Sequence, residues 1–306
     1  SQYGTPFGMA HFECAAAGSG ALAIKDGLDT AYVGWNPESD MGNIEVWEQS
    51  MPMLYIGRSI VPNSGGAGKY RGGCSFLSTW LVNKTDHLRL VTSEHSSRVF
   101  DNGGLCGGYP APTCQKHRAV RNSNIFELAE KGAPLAHHTG TNPYRSELEM
   151  RLEGEHVTVE GPYITAPHKA GDVFTHSYNG GGGYGDVLER DPVKTAWDVE
   201  NGFLTREAAE GVFGIVIEED GEGYPVADLE ATKRRREEMR ARRLARARPV
   251  SQWIASERER VARAGFAPEV RNMYASAIRL SARFTRDMSD FWDIDARTVF
   301  AEEKVQ

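Results

Sequence analysis

The chain has 306 residues, 40% hydrophobic and 25% charged, with a formal net charge of −7. That balance suits a globular protein with a sizeable core. The acidic total offers no basic field for nucleic acid, and no apolar run approaches the roughly 20 residues of a membrane span. The first residues, SQYGTPFGMAHFECAAAG, lack the basic-then-apolar order of a secretory signal. Cys14, Cys74, Cys106 and Cys114 form no CxxC pair and are too few for a dense disulfide framework, so reduced cytoplasmic thiols are expected. The chain begins with Ser1 rather than Met, and glycines and chemistry-bearing residues start at once. This suggests a piece of a larger whole, whether a processed chain, a dissected one or half of a split gene.

Residues 1–190 carry most of the 33 glycines, in clusters at Gly18–Gly20, Gly65–Gly73, Gly103–Gly108 and Gly180–Gly185. Short apolar runs separate them, a texture of strands joined by glycine loops. MLYIGRSIV (53–61), FLSTWLV (76–82) and HLRLVTS (87–93) read as strands, and VTVEGPYITA (157–166) as a strand broken at Gly161 and Pro162. At Asp191 the pattern changes. Asp191 and Pro192 provide an N-cap with proline at the first helical position, and Asn201-Gly202 provides a stop. Val193, Ala196 and Trp197 share one face of that helix. Thr205 caps a second helix, followed by a short strand in GIVIEED (214–220).

Residues 228–248 favour helix throughout and hold nine Lys/Arg against four Asp/Glu. A solvated helix with pairs such as Glu230 and Arg234 accounts for it, and so does docking on an acidic partner. Leu229, Met239 and Leu244 are too sparse for a core stripe, and no aromatic residues interleave the charges as single-stranded nucleic acid would require. The last segment, 249–306, mixes charge with Trp253, Phe266, Met273, Tyr274, Phe284, Met288, Phe291 and Trp292, and is expected as an arm packing on another surface. The chain is thus expected to be α+β, with three parts: a β-rich glycine-loop region (1–190), a helix-helix-strand motif of the same domain (191–227), and a charged helix with a C-terminal arm for subunit packing (228–306).

PNSGGAGKYRGG (62–73) sets Lys69 and Arg71 among glycines that include Gly66 and Gly68. Exposed glycine amides beside two cations make an anion-binding site, although Tyr70 after Lys69 excludes a Walker A loop. A tight turn with both cations held in ion pairs fits the same residues. In FGMAHFECAAAG, His11 and Glu13 share one face of an extended segment and form a candidate acid/base pair. A histidine satisfied by a neighbouring carboxylate reads equally well, and Cys14 has no nearby base to activate it. Glu38, Asp40, Glu45 and Glu48 do not follow calcium-loop spacing and are expected on a surface turn. His137, His138, His156, His168 and His176 lack helical metal-site spacing and are expected as polar loop residues. No metal ligand is assigned.

SGGAGKYRGG (64–73), GGGGYGD (180–186) and DPVKTAWDVENGFLTREAAEGVFGIVI (191–217), in that order, resemble the C-terminal half of hydantoinase B proteins, which include the corresponding subunits of 5-oxoprolinases. FGMAHFECAAAGSGA, DGLDTAYVGWNPESDMGN and GGYPAPT look closer to the acetone and acetophenone carboxylases within that superfamily. The resemblance covers about residues 4–220. It implies a multisubunit, ATP-dependent ketone carboxylase that turns a ketone plus bicarbonate into a 3-oxo acid through phosphorylated intermediates. It also implies ATP and a divalent metal, Mg or Mn, in partner chains: a hydantoinase-A-like ATP-binding subunit and a chain supplying the N-terminal half of hydantoinase B. In this reading the chain is inactive alone and works in a cytoplasmic hetero-oligomer, with Lys69 and Arg71 beside charged intermediates. Two other outcomes fit the resemblance: a subunit of an ATP-dependent cyclic amide hydrolase, acting on a hydantoin or 5-oxoproline, and a purely structural subunit.

Overall fold

The computed structural model describes residues 8, 17–31, 43–92, 102–112, 116–135, 145–159, 163–164 and 167–301. It divides into two compact units, residues 1–239 and 240–306.

The first unit is organised by a five-stranded antiparallel sheet. In chain order its first elements are α1 (Ile44–Ser50), β1 (Met53–Ile60), β2 (Phe76–Val82), β3 (Val91–Thr92), β4 (Lys116–Arg121), α2 (Ile125–Glu130), α3 (Glu147–Arg151), β5 (Glu155–Val159), β6 (Tyr163–Ile164) and β7 (Val173–Ser177). The sheet order is β1-β2-β7-β4-β5. β2 and β7 are buried along their whole length, which explains why FLSTWLV shows no polar alternation: both faces of a central strand are covered.

On one face Trp80, Val82, Ala119 and Phe174 pack with Met53, and Ile44 and Trp47 of α1 lie against them. On the other, Leu81, Val120 and Val173 pack with Ile125 of α2 and with Leu148 and Leu152 around α3. Each such fully buried aliphatic side chain contributes about 1.5–3 kcal/mol over its exposed state.

Among the described residues, the strand expected over 87–93 appears as β3, which pairs with β6, while Leu88 forms a bridge to His168. The segment read as one broken strand does divide: β5 joins β4 in the main sheet and β6 joins β3.

After Asp191 come α4 (Pro192–Glu200), α5 (Arg206–Gly211), a hairpin of β8 (Ile217–Glu219) and β9 (Pro225–Ala227), and α6 (Leu229–Ala245). The caps are as expected. Asp191 accepts from the amides of Val193 and Lys194, Thr205 accepts from Ala208 N, and Gly202 takes a left-handed φ of 75° just past α4.

The buried face of α4 is not the expected one. Val193 and Trp197 are 61% and 53% exposed, whereas Ala196 is buried together with Thr195 and Asp198. α4 turns a polar stripe inward because Asp198 serves two arginines. α6 behaves similarly: Thr232 and Arg236 are its buried residues. The Arg236 guanidinium donates to the carbonyls of Phe213 and Arg190, at 3.0 and 2.7 Å. Met239 packs on the cluster of Val187, Leu188, Leu204, Phe213 and Ile215.

Residues 249–301 are helical where an arm was expected. They form α7 (Val250–Ala262), α8 (Pro268–Leu280), α9 (Ala282–Trp292) and α10 (Ala296–Val299). Val261, Ile278, Met288, Ala296 and Phe300 build the core of the second unit, with Phe266, Tyr274 and Trp292 packed on it. Phe266, Tyr274, Met288 and Trp292 thus pack within the unit, while Trp253, Met273 and Phe291 remain 46%, 52% and 63% exposed. Among the described residues no helix is long and apolar enough to cross a membrane.

Candidate functional site

The glycine clusters come together at one end of the sheet. Segments 17–28, 64–73, 102–111 and 179–185 run beside one another, linked by backbone hydrogen bonds outside any regular strand. Gly18 N donates to Asn179 O, Gly66 N to Gly181 O, Gly73 N to Ser19 O, Gly181 N to Gly73 O, Tyr109 N to Ala67 O and Gly183 N to Tyr109 O, all at 2.7–3.1 Å. The segments approach so closely that side chains cannot fit. A Cβ on Gly72 would lie 1.8 Å from the Gly181 carbonyl oxygen, and one on Gly180 would lie 1.8 Å from that of Ser64. Glycine is required here by the close approach of backbones.

This arrangement redefines the anion site expected at 62–73. The Gly66 amide is spent on Gly181, and a Cβ on Gly68 would meet the backbone of Tyr184 and Tyr70 at 2.7 Å. Arg71 is buried, and its guanidinium is fully engaged. Nε donates to Asp198, Nη1 to Asp29 and the Gly72 carbonyl, and Nη2 to Asp29 and Asp198. No donor remains for a substrate anion. Lys69 differs: it is 43% exposed and lies 3.6 Å from Glu189.

Arg190, which the sequence did not single out, completes the network. It donates to both Asp26 oxygens at 2.7 and 2.9 Å and to Asp198 at 2.6 Å. Burial alone would depress the Arg71 pKa, but hydrogen bonding to Asp29 and the charge of Asp198 reverse this and raise it. Burial likewise opposes the charge of Asp26, yet the Arg190 hydrogen bond and charge hold its carboxyl below the usual range. The cluster sets three carboxylates around two guanidiniums, and it ties the 17–31 segment to the glycine bundle and to α4. Beside it, burial pushes the Cys74 thiol up to about 11, so it is protonated and inert.

A second group of polar residues lies in the sheet. His176, expected in a loop, is in central strand β7 and pairs with His117 of β4. Their ring centroids are 5.4 Å apart. His168 is buried, with Nδ1 3.2 Å from Asp172 Oδ2, and His156 Nε2 lies 3.0 Å from the Leu152 carbonyl. Glu48 accepts from Tyr55 N, and Glu45 sits in the first turn of α1. His11, Glu13, Cys14, Glu38, Asp40, Cys114, His137 and His138 lie outside the described residues. Cys74 and Cys106 are free thiols. Among the described residues no group of three His, Cys, Asp or Glu side chains is placed to hold a metal ion.

Residues 2–187 match the family model described as hydantoinase B/oxoprolinase. The chain belongs to this family. Along its whole length the family member is 34% identical to the acetone carboxylase alpha subunit of Xanthobacter autotrophicus, spanning 39% of that protein. It is 28% identical over 70% of its length to the acetophenone carboxylase delta subunit of Aromatoleum aromaticum, covering 31% of it. It is also 28% identical over 59% of its length to caprolactamase subunit beta of Pseudomonas jessenii, covering 26% of it. The solved nucleotide-free acetone carboxylase superposes on 93% of the chain with a TM-score of 0.81 at 34% identity, with 37% of that structure's chain covered. The chain therefore spans about a third of the length of these curated hydantoinase B relatives.

Proposed function

We propose that this chain forms the C-terminal half of a hydantoinase-B-type subunit in an ATP-dependent ketone carboxylase, which converts a ketone plus bicarbonate to a 3-oxo acid. The reading rests on one observation: likeness to the acetone carboxylase alpha subunit runs through residues 188–306, beyond the family model, whereas the matches to the acetophenone and caprolactam enzymes cover less of the chain. ATP and a divalent Mg or Mn ion are held by partner chains, a hydantoinase-A-like ATP-binding subunit and a chain supplying the N-terminal half of hydantoinase B. The assembly is a cytoplasmic hetero-oligomer.

Within it, the hydrogen-bonded cluster around Arg71 and Arg190 and the interlocked glycine segments form a rigid wall with fixed dipoles, which need no reorganisation as charge develops. Lys69 is the exposed cation at the edge of that wall and attracts anionic intermediates. His11 and Glu13 are retained as a candidate acid/base pair.

The assembly containing this chain, purified intact, is to be assayed with ATP and labelled bicarbonate against acetone and acetophenone. ATP-dependent fixation of label into a 3-oxo acid supports the reading. Cleavage of caprolactam, hydantoin or 5-oxoproline without label fixation replaces it with cyclic amide hydrolysis, a second reading favoured by the caprolactamase match.

A further inference from the structure

Helix α6 has 17 residues, of which Thr232 and Arg236 are the buried ones. Most of its other side chains are exposed, and a long helix this polar needs ion pairs or a neighbouring surface to hold it. Its two ends carry opposite charge. Residues 207–232, which include the β8–β9 hairpin and the first turn of α6, hold eight Asp/Glu and no Lys or Arg. Residues 240–248, at the other end, hold five Arg and no Asp or Glu.

The helix macrodipole accounts for part of this, since acids favour a first turn and arginines a last one, but its effect fades within a turn. The excess lies beyond it. Glu218 and Glu222 are in the hairpin, and Arg246 and Arg248 follow Ala245, the last helical residue. All four are exposed, and none is ion-paired among the described residues. Apolar side chains accompany the charges. Val226 stands opposite Glu218 in the hairpin ladder and shares its exposed face, Tyr224 and Leu229 are exposed nearby in the chain, and Leu244 at the basic end is 76% exposed.

Within one copy these two ends cannot meet. α6 starts two residues after β9 and rises about 1.5 Å per residue, so its 17 residues hold the hairpin and the arginines roughly 25 Å apart. That is more than two Debye lengths at about 0.1 M salt, where surface charges barely sense each other. A second copy lying antiparallel removes the mismatch. Leu229 and Leu244 are separated by about 22 Å along the helix axis and about 60° around it. An antiparallel neighbour therefore sets each Leu229 toward the other's Leu244, and each hairpin toward the other's arginines, in one closed two-fold contact. A parallel neighbour would place like charges together.

We propose that this chain pairs with a second copy of itself through α6, the acidic hairpin of each copy docking on the basic end, 242–248, of the other. The acidic partner expected for the basic helix is then the hairpin of a neighbouring copy. The contact depends on charge and shape, and it is independent of which reaction the assembly catalyses.

The test is the mass of the purified chain by light scattering and sedimentation equilibrium, at about 0.05 and 0.5 M salt. At the lower salt the expected mass is twice 33.8 kDa, with a dissociation constant on the order of micromolar. The higher salt should weaken the pair about tenfold or more. Glu218→Lys with Glu222→Lys, and separately Arg246→Glu with Arg248→Glu, should each raise the dissociation constant at least about tenfold, because attraction becomes repulsion at both halves of the contact. Leu244→Asn should weaken it by about tenfold through lost apolar burial. All these positions are exposed, so thermal melts should match the wild type. Mixed in equal amounts, the two charge variants should dimerise to within about threefold of the wild type, since reversed ends then face reversed ends and native ends face native ones. A chain that stays monomeric at both salts up to about 100 µM overturns the proposal. So does a dimer indifferent to both charge variants, or a mixture of the two that pairs no better than either alone.

Discussion

Arg190 holds Asp26 with both terminal nitrogens, at 2.7 and 2.9 Å, across a sequence separation of 164 residues. The same guanidinium reaches Asp198 at 2.6 Å, and Asp198 in turn pairs with Arg71. Three segments far apart in the chain are thus joined through one buried ionic cluster.

Breaking that cluster on one side leaves charge buried without its partner, which typically costs about 3–5 kcal/mol. Asp198→Asn should therefore lower the unfolding free energy by about 3 kcal/mol or more, read from urea denaturation. A change below about 0.5 kcal/mol would show that the cluster is dispensable to the fold.

Gly72→Ala places a methyl group 1.8 Å from the Gly181 carbonyl oxygen, and the obstacle is backbone that cannot swing aside. We expect the variant to be recovered only as insoluble or molten protein. Gly211→Ala is the contrasting case, since it lies in α5 with no atom within 4 Å of the added Cβ. Its helix propensity should raise stability by about 0.5–1 kcal/mol. Equal thermal melts for the two variants would contradict the close-approach argument.

The His117 imidazole, depressed to about 4, fixes the sign of a pH effect. Between about 6.5 and 4 the unfolded chain binds a proton at this residue that the folded chain does not, so stability falls as pH falls through that window. The contribution is at most about 3 kcal/mol at pH 4. His117→Gln should flatten that part of the stability-pH curve and leave the region above pH 7 unchanged. A wild-type curve already flat from pH 6.5 to 4.5 would show that the ring is not held neutral.

Lys69 and Glu189 are both substantially exposed, and such pairs contribute about 0–1 kcal/mol. Lys69→Ala should leave thermal stability and assembly intact while lowering bicarbonate-dependent turnover of the complex about tenfold, in keeping with loss of a charge-assisted contact. Unchanged turnover in an intact complex would assign Lys69 to the surface alone.

Local signals were legible wherever the deciding contacts are local. Asp191 with Pro192, Thr205, and Asn201-Gly202 mark helix ends through hydrogen bonds spanning two to four residues, and these fall where the sequence puts them. β1 and β2 announce themselves by apolar runs of strand length. The helices of 250–299 were missed as a packed unit because their apolar residues are diluted by charge, and only their mutual packing shows a core. His176 was misplaced for a similar reason: a single histidine between Thr175 and Ser177 carries no strand signal without its partner strands.

The sequence by itself determined the family, the glycine-dense character of 17–185 and the capped helices after Asp191, all of which depend on residue types and short spacings. The tertiary structure alone decided that the clustered glycines lie against one another, that Arg71 is consumed by Asp29 and Asp198 while Lys69 stays exposed, and that Arg58, Ser78, His176 and His117 align in one row. The physical reason is strand order. Pairing β7 between β2 and β4 brings distant side chains within about 5 Å of one another, and no local pattern along a chain encodes which distant partner that will be.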